Sequence, residues 1–290
     1  MSALKSGQRL ALAGMFSNVL LAVVKITAGV LGNAYALIAD GVESMLDIAG
    51  SIVIWSGLKL AIKPPDEEHP YGHGKAEPIA AAVVSIGVLA AAALLAVASV
   101  RELSAAHHTP PRPFTLAILV IVIVVKEILF RRVIHLGEAT GSTAMTSDAW
   151  HHRSDAITSA AAFVGISIAL IGGPGYERAD NYAALAACVV IAFNGVRLLL
   201  PAFAEVMDAA PPREVHDAIR QTARAVPGVQ EIDKCFVRKM GLEYYVDIHV
   251  RVNGELTVRE GHEIAHSVKD QLRAANSAVR DVLVHIEPMR

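Results

Sequence analysis

Cysteine is scarce in this chain, and over its first two-thirds so is charge. The two cysteines, Cys188 and Cys235, fall in different segments and form no CxxC pair, so no disulfide framework is implied. Net charge is −2, which gives no footing for a nucleic-acid partner. The opening MSALKSGQRLALAG lacks the small-residue exit site of a cleavable signal, so its basic residues are read as flanking a retained apolar span. Charged residues thin out before about Phe203 and become dense from Glu205 onward. What fills the gap is apolar: the 290 residues are 53% hydrophobic, with a mean hydropathy of +0.44. That is too apolar for an ordinary soluble domain, and the uneven charge predicts a membrane portion followed by a soluble one.

A membrane-spanning helix needs about 20 mostly apolar residues. Six stretches qualify, near 10–31, 36–60, 78–100, 114–135, 147–172 and 181–204. The third and fourth are the cleanest, whereas the first, second and fifth carry polar residues inside the apolar run. Lys5 and Arg9 precede the first span, Lys59, Lys63 and Lys75 lie between the second and third, and Arg131 and Arg132 close the fourth. The opposite connections hold fewer basic residues, which places both termini in the cytoplasm.

Beyond the last span the periodicity changes. PREVHDAIRQTARAV reads as an amphipathic helix opened by proline and acid. EIDKCFVRKM and EYYVDIHVRV read as strands with Gly241 at the turn, TVREGHEIAHSVKDQLRAAN as a helix, and VRDVLVHIEP as a third strand. The expected fold is therefore a six-helix transmembrane bundle, residues 1–208, followed by a cytoplasmic α/β domain of order α-β-β-α-β, residues 209–290.

Ionisable residues inside apolar spans are costly unless they are paired or functional. IADGVESMLDIAG in the second span puts Glu43 and Asp47 at i and i+4, and His151 and Asp155 in the fifth share that spacing. One helical turn places each pair on a single face. Two helices each offering two ligands match what a four-coordinate divalent metal wants, and mixed imidazole and carboxylate suit zinc, iron(II), cobalt(II) or manganese(II) better than calcium or magnesium. Ligands that must deprotonate to bind can also exchange protons for metal. The plainer reading is that Ser147 or Asp148 caps the fifth helix and that His151 and Asp155 are solvated at the membrane edge. Two such pairs on separate apolar spans weigh against it. His152 and Arg153 turn to other faces and are read as packing groups. Asp40 extends the polar face of the second span, with helix capping or a water-lined cavity as open for it as metal ligation. Lys25 either snorkels or pairs with an acid. With no HExxH and no nucleophile beside a base, an enzyme is not expected.

ADGVESMLD in the second span, HPYGHGKAE after it, SDAWHHRSD opening the fifth and the α-β-β-α-β tail together resemble the cation diffusion facilitators, along essentially the whole chain. The resemblance implies a secondary transporter that exports a divalent metal from the cytoplasm in exchange for protons. It implies a homodimer in the bilayer, joined partly through a metallochaperone-like (ferredoxin-like) cytoplasmic domain; an inner-membrane location in a bacterium is expected. The transport site is then similar to Glu43, Asp47, His151 and Asp155. Glu43 departs from the Asp, His or Asn more usual at the first position, and its longer arm leaves the metal open. Zinc is the first choice, with Fe(II), Co(II) and Mn(II) as alternatives. The resemblance also implies a loop metal site at Asp66, His69 and His73, against the alternative of an exposed Gly/Pro-rich linker. It implies a regulatory site in the tail from Asp233, His249, His262, His285 and Glu287, with Asp233 where a histidine is expected. Lys75 and Asp208 are implied as a pair that holds the dimer at the membrane surface. A membrane-anchored metal sensor or scaffold that transports nothing is the competing class, and an incomplete intramembrane quartet would be its mark.

Overall fold

The computed structural model describes the backbone of residues 2–104, 110–140, 143–173 and 175–289, and their side chains except 2–15, 136–148 and 151. Six long helices come first: α1 (Ser2–Gly32), α2 (Tyr35–Ala61), α3 (Ala76–Ser104), α4 (Phe114–Thr140), α5 (Thr143–Ile171) and α6 (Ala179–Val206). After them come α7 (Arg213–Arg224), β1 (Glu231–Met240), β2 (Glu243–Val252), α8 (Val258–Ala275) and β3 (Val279–Pro288). At about 1.5 Å per residue each long helix exceeds the roughly 30 Å hydrocarbon layer of a bilayer. Among the described residues, Ala76–Ser104, His152–Ile171 and Ala179–Val206 are long and apolar enough to cross a membrane, with hydropathies of 2.6, 1.7 and 2.1 over their best windows. Phe16–Gly32 is a shorter apolar helix. Helices α2 and α4 carry ionisable residues within their apolar runs.

By contacts the chain divides into two compact units, Met1–Ile52 with Val83–Arg197, and Val53–Ala82 with Leu198–Arg290. The first unit is inside-out by the standard of a soluble protein. Large apolar side chains point outward: Phe16, Leu94, Ile171 and Val189 are 71%, 72%, 81% and 70% exposed. Lys25, Asp40, Lys126 and His152 lie buried. That is the arrangement a lipid solvent selects, since apolar faces cost nothing there and charges must be satisfied internally. Small residues let the helices approach. A Cβ on Gly41 would lie 2.7 Å from Ile26 Cγ1, and one on Gly165 would lie 2.3 Å from Ala183 Cβ, so α1 meets α2 and α5 meets α6 nearly backbone to backbone, as small-residue helix interfaces do. An apolar cluster of Ala28, Leu37, Leu119, Ile166 and Ala184 ties five of the helices together. Helix α5 starts at Thr143, upstream of Ser147 and Asp148, whose proposed capping side chains lie outside the described residues.

In the second unit the tail forms a three-stranded sheet of order β1-β2-β3. Strand β1 pairs antiparallel with β2, and β2 pairs parallel with β3. The parallel pair needs a crossover, which α8 supplies. A capping box starts α8: Thr257 accepts from Glu260 N, and Glu260 reaches back to Thr257 N. Strand alternation sorts the chemistry. Val246, Ile248, Val250 and Val252 point into a core with Ile219, Ala223, Val268 and Leu272 from α7 and α8. The intervening Tyr245, Asp247, His249 and Arg251 take the opposite face.

Candidate metal sites

Within the membrane unit, α2 and α5 bring acids to one region. Glu43 is within electrostatic reach of Asp47 and Asp40 on its own helix, of Asp155 on α5, and of Lys25. Glu43 is half-buried and Asp47 exposed. The helix at His151 is described, but its side chain lies outside the described residues. Two lysines accompany these acids, each in its own way. Lys25, fully buried on α1, sits 2.8 Å from Asp40 Oδ2 and donates to Ser44 Oγ at 3.2 Å. Asp40 also accepts from Ser159 Oγ at 2.7 Å. Lys25 therefore does not snorkel, and Asp40 belongs to a closed buried pair. Lys126 on α4 holds Asp155 Oδ2 at 2.5 Å and Asn18 Oδ1 on α1 at 2.8 Å. Sequence reasoning missed Lys126, although a lone lysine in the run VIVIVVKEIL is the signal that should have raised it. It also missed Asp180, whose carboxylate accepts from the backbone N–H groups of Tyr35 and Ala36 at 2.5 and 3.0 Å and so anchors the start of α2. His152 is buried, and Arg153 stacks over Phe130 at 4.7 Å.

Two groups have ligand atoms within 4.8 Å of one another among the described residues. The first is Asp66, His69 and His73 in the loop between α2 and α3. Asp66 Oδ1 accepts from His69 N at 2.7 Å and lies 3.2 Å from His69 Nδ1, while Asp66 Oδ2 is 3.4 Å from His73 Nε2. The two rings are 4.4 Å apart. The backbone N–H of His69, then its ring and the charge of His73, hold the Asp66 carboxyl below its ordinary range despite some loss of solvent. His73 Nδ1 is buried with no hydrogen-bond partner, an orphaned donor atom that a cation would satisfy. His73 also lines a cleft of about 290 Å³ that Lys63, Tyr71, Tyr245 and Arg280 share.

The second group is His249, His285 and Glu287, on the sheet face away from the helices. Register sets His249 beside His285, with ring centroids 4.8 Å apart. His249 Nδ1 lies 2.8 Å and His285 Nε2 3.8 Å from Glu287 Oε1. The His249 hydrogen bond first, then the nearby His249, His285 and Arg251 charges, pull the Glu287 carboxyl down. The other two tail residues named from sequence stand apart. Asp233 is engaged by Arg251 Nη2 at 2.5 Å, and His262 packs edge-on against His266 at 4.5 Å on α8. Arg251, absent from the sequence reading, also holds Glu231 at 2.9 Å. Lys75 Nζ lies 2.6 Å from Asp208 Oδ1 and donates to Glu205 O at 2.5 Å. The Glu205 carboxylate in turn takes Lys239 at 2.9 Å and Gly241 N at 3.1 Å.

The two parts of the chain, long helices and a small α/β tail, find their counterparts among known proteins. Residues 11–207 match the cation efflux transmembrane domain, and residues 211–289 match the cytoplasmic domain of cation efflux proteins. The chain belongs to the cation diffusion facilitator family. As a member it is an integral membrane protein of a family of cation efflux transporters. Manganese efflux system protein MneP of Bacillus subtilis (strain 168) is 29% identical over 97% of this chain and 96% of its own length. Metal tolerance protein 2 of Oryza sativa subsp. japonica is 32% identical over 97% of this chain and 78% of its own length. Magnetosome protein MamB of Magnetospira sp. (strain QH-2) is 29% identical over 95% of this chain and 93% of its own length. Among solved structures, "MamM-CTD H285A" aligns with 27% of this chain and 98% of its own, at 26% identity and a TM-score of 0.27.

Proposed function

We propose that this facilitator exports a divalent transition metal from the cytoplasm in exchange for protons, through Glu43, Asp47, His151 and Asp155. The observation that carries the reading is the gathering of Glu43, Asp47 and Asp155 from two helices into one region of the membrane unit, where isolated carboxylates would be too costly to keep. Residues 1–208 act as the transmembrane domain and 209–290 as a cytoplasmic domain, with both termini in the cytoplasm of a bacterial inner membrane. Metal enters from the cytoplasmic side, the bundle rocks outward, and protons arriving from outside take over the ligands and release it.

Three carboxylates and one imidazole form an oxygen-rich set. Such donors favour manganese(II) or iron(II) more than the sulfur- and nitrogen-rich sites that zinc prefers, and similarity to a manganese efflux protein supports the same choice. Zinc and cobalt(II) are the competitors to be ranked. The chain works as a homodimer. Asp66, His69 and His73 form an accessory cytoplasmic metal site, and His249, His285 and Glu287 a regulatory one, with Asp233 and His262 standing apart from it. The Lys75–Asp208 pair steadies the dimer at the membrane surface. The competing reading, a metal sensor that transports nothing, lacks support from the quartet, which is complete in sequence. The test is metal flux in proteoliposomes. Asp47→Ala with Asp155→Ala abolishes flux if the reading is right, and parental flux in that double variant overturns it.

A further inference from the structure

Among the described residues, the two buried lysines of the membrane unit differ in what they leave available. Lys25 and Asp40 satisfy each other, with Ser44 and Ser159 completing the group. Lys126 has no such dedicated acid. Its ammonium, 1% exposed, contacts Asp155 Oδ2 at 2.5 Å and, on its other side, the neutral Asn18 Oδ1 at 2.8 Å. Asp155 is also one of the four residues proposed to ligate the cargo, so the inference rests on that reading. A divalent cation and a lysine ammonium cannot share one carboxylate at contact distance in a low-dielectric interior without strong repulsion.

We propose that Lys126 is a resident counter-cation of the transport site. Its ammonium holds Asp155 while the site is empty, and it shifts onto Asn18 Oδ1 when a divalent cation takes the carboxylate. Two consequences follow. Metal binding is weakened, because loading the site displaces a charge already seated there. The empty carrier is eased through its return, because the Asp155 carboxylate keeps a cation at contact distance. Affinity is exchanged for turnover, and Lys126 is a positioning residue that sets the balance. Asn18 takes part because it offers the displaced ammonium an acceptor that carries no charge and does not compete with the metal.

The test uses the full-length protein in nanodiscs for Mn²⁺ binding and in proteoliposomes for Mn²⁺ flux. Lys126→Met tightens Mn²⁺ binding about tenfold (about 1.4 kcal/mol) and lowers maximal flux. Lys126→Arg, which keeps the charge, stays near the parent in both. Asn18→Ala moves affinity the other way, to weaker binding, because the displaced ammonium loses its acceptor. In an Asp155→Asn background the substitution at Lys126 no longer changes affinity. Opposite signs at positions 126 and 18 are not what loss of packing produces. Unchanged or weaker binding in folded Lys126→Met overturns the proposal, as does a Lys126 effect that persists with Asp155→Asn. Should Lys126→Met fail to fold, Asn18→Ala decides: binding as tight as the parent's overturns the proposal. A parent protein that binds Mn²⁺ no better than Asp47→Ala overturns the transport-site reading itself, and the counter-cation with it.

Discussion

The membrane helices and the α/β tail solve opposite solvent problems with the same residues. In the tail, valine and isoleucine of β2 fill the core, and histidines and carboxylates ride the exposed strand face. Among the helices, large apolar side chains face outward and the charges Lys25, Asp40 and Lys126 are enclosed. Polarity therefore means different things in the two regions. On the tail it costs little, because the strand face is open to solvent. Inside the helix bundle each charge has to be compensated, so the partner it takes is informative.

The sharpest way to break this contrast is to remove one half of an enclosed pair. Lys25→Met leaves Asp40 buried without its cation and is expected to destabilise the protein by about 3–5 kcal/mol. Thermal unfolding in detergent checks this, with Lys25→Met plus Asp40→Leu recovering much of the loss. The counterpart in the tail is Ile248→Ala, a fully buried β2 side chain, for which about 2–5 kcal/mol is expected. Hydrogen exchange should localise that damage to the tail, leaving the amides of α3 and α6 protected as in the parent.

A smaller effect separates surface from interior. Glu287 is held below the usual glutamate value of 4.5 by His249 and its neighbours. A depressed carboxyl contributes stability that is present above 4.5 and lost as pH falls through its lower folded value. The difference in melting temperature between the parent and Glu287→Gln is therefore expected at neutral pH and should vanish under strong acid. Least in size, burial pushes the Cys235 thiol up to about 11. A maleimide at neutral pH should then label Cys235 only after denaturation, and ready labelling of the folded protein would show that the tail core is open.

The tail was legible almost to the residue because both of its periods are clean. Alternation in EYYVDIHVRV, with glycine at the β1–β2 turn, sets strands that the hydrogen-bond ladder then uses, with one irregularity between Ile232 and Cys235. The long helices were legible for a similar reason, as unbroken apolar runs. Pairing between helices was not. Nothing in the spacing of Lys126 and Asp155, 29 positions apart, tells that α4 carries a lysine to the face where α5 carries its acid. The i, i+4 rule found Glu43 with Asp47 because one helix holds both; a partner on another helix depends on the packing. The tail shows the same limit. Register pairs Arg251 with Glu231, and only the irregularity between Ile232 and Cys235 lets its guanidinium reach Asp233 as well, at 2.5 Å.

The proposed transport through Glu43, Asp47, His151 and Asp155 moves metal at the expense of a proton gradient. It is tested most directly by Mn²⁺ uptake into inverted membrane vesicles with an acidic lumen, in the parent and in Asp47→Ala plus Asp155→Ala. Uptake by the parent should collapse when the pH gradient is dissipated, and the double variant should show none above background. Parental uptake that is indifferent to the gradient, or equal uptake by the double variant, would contradict it.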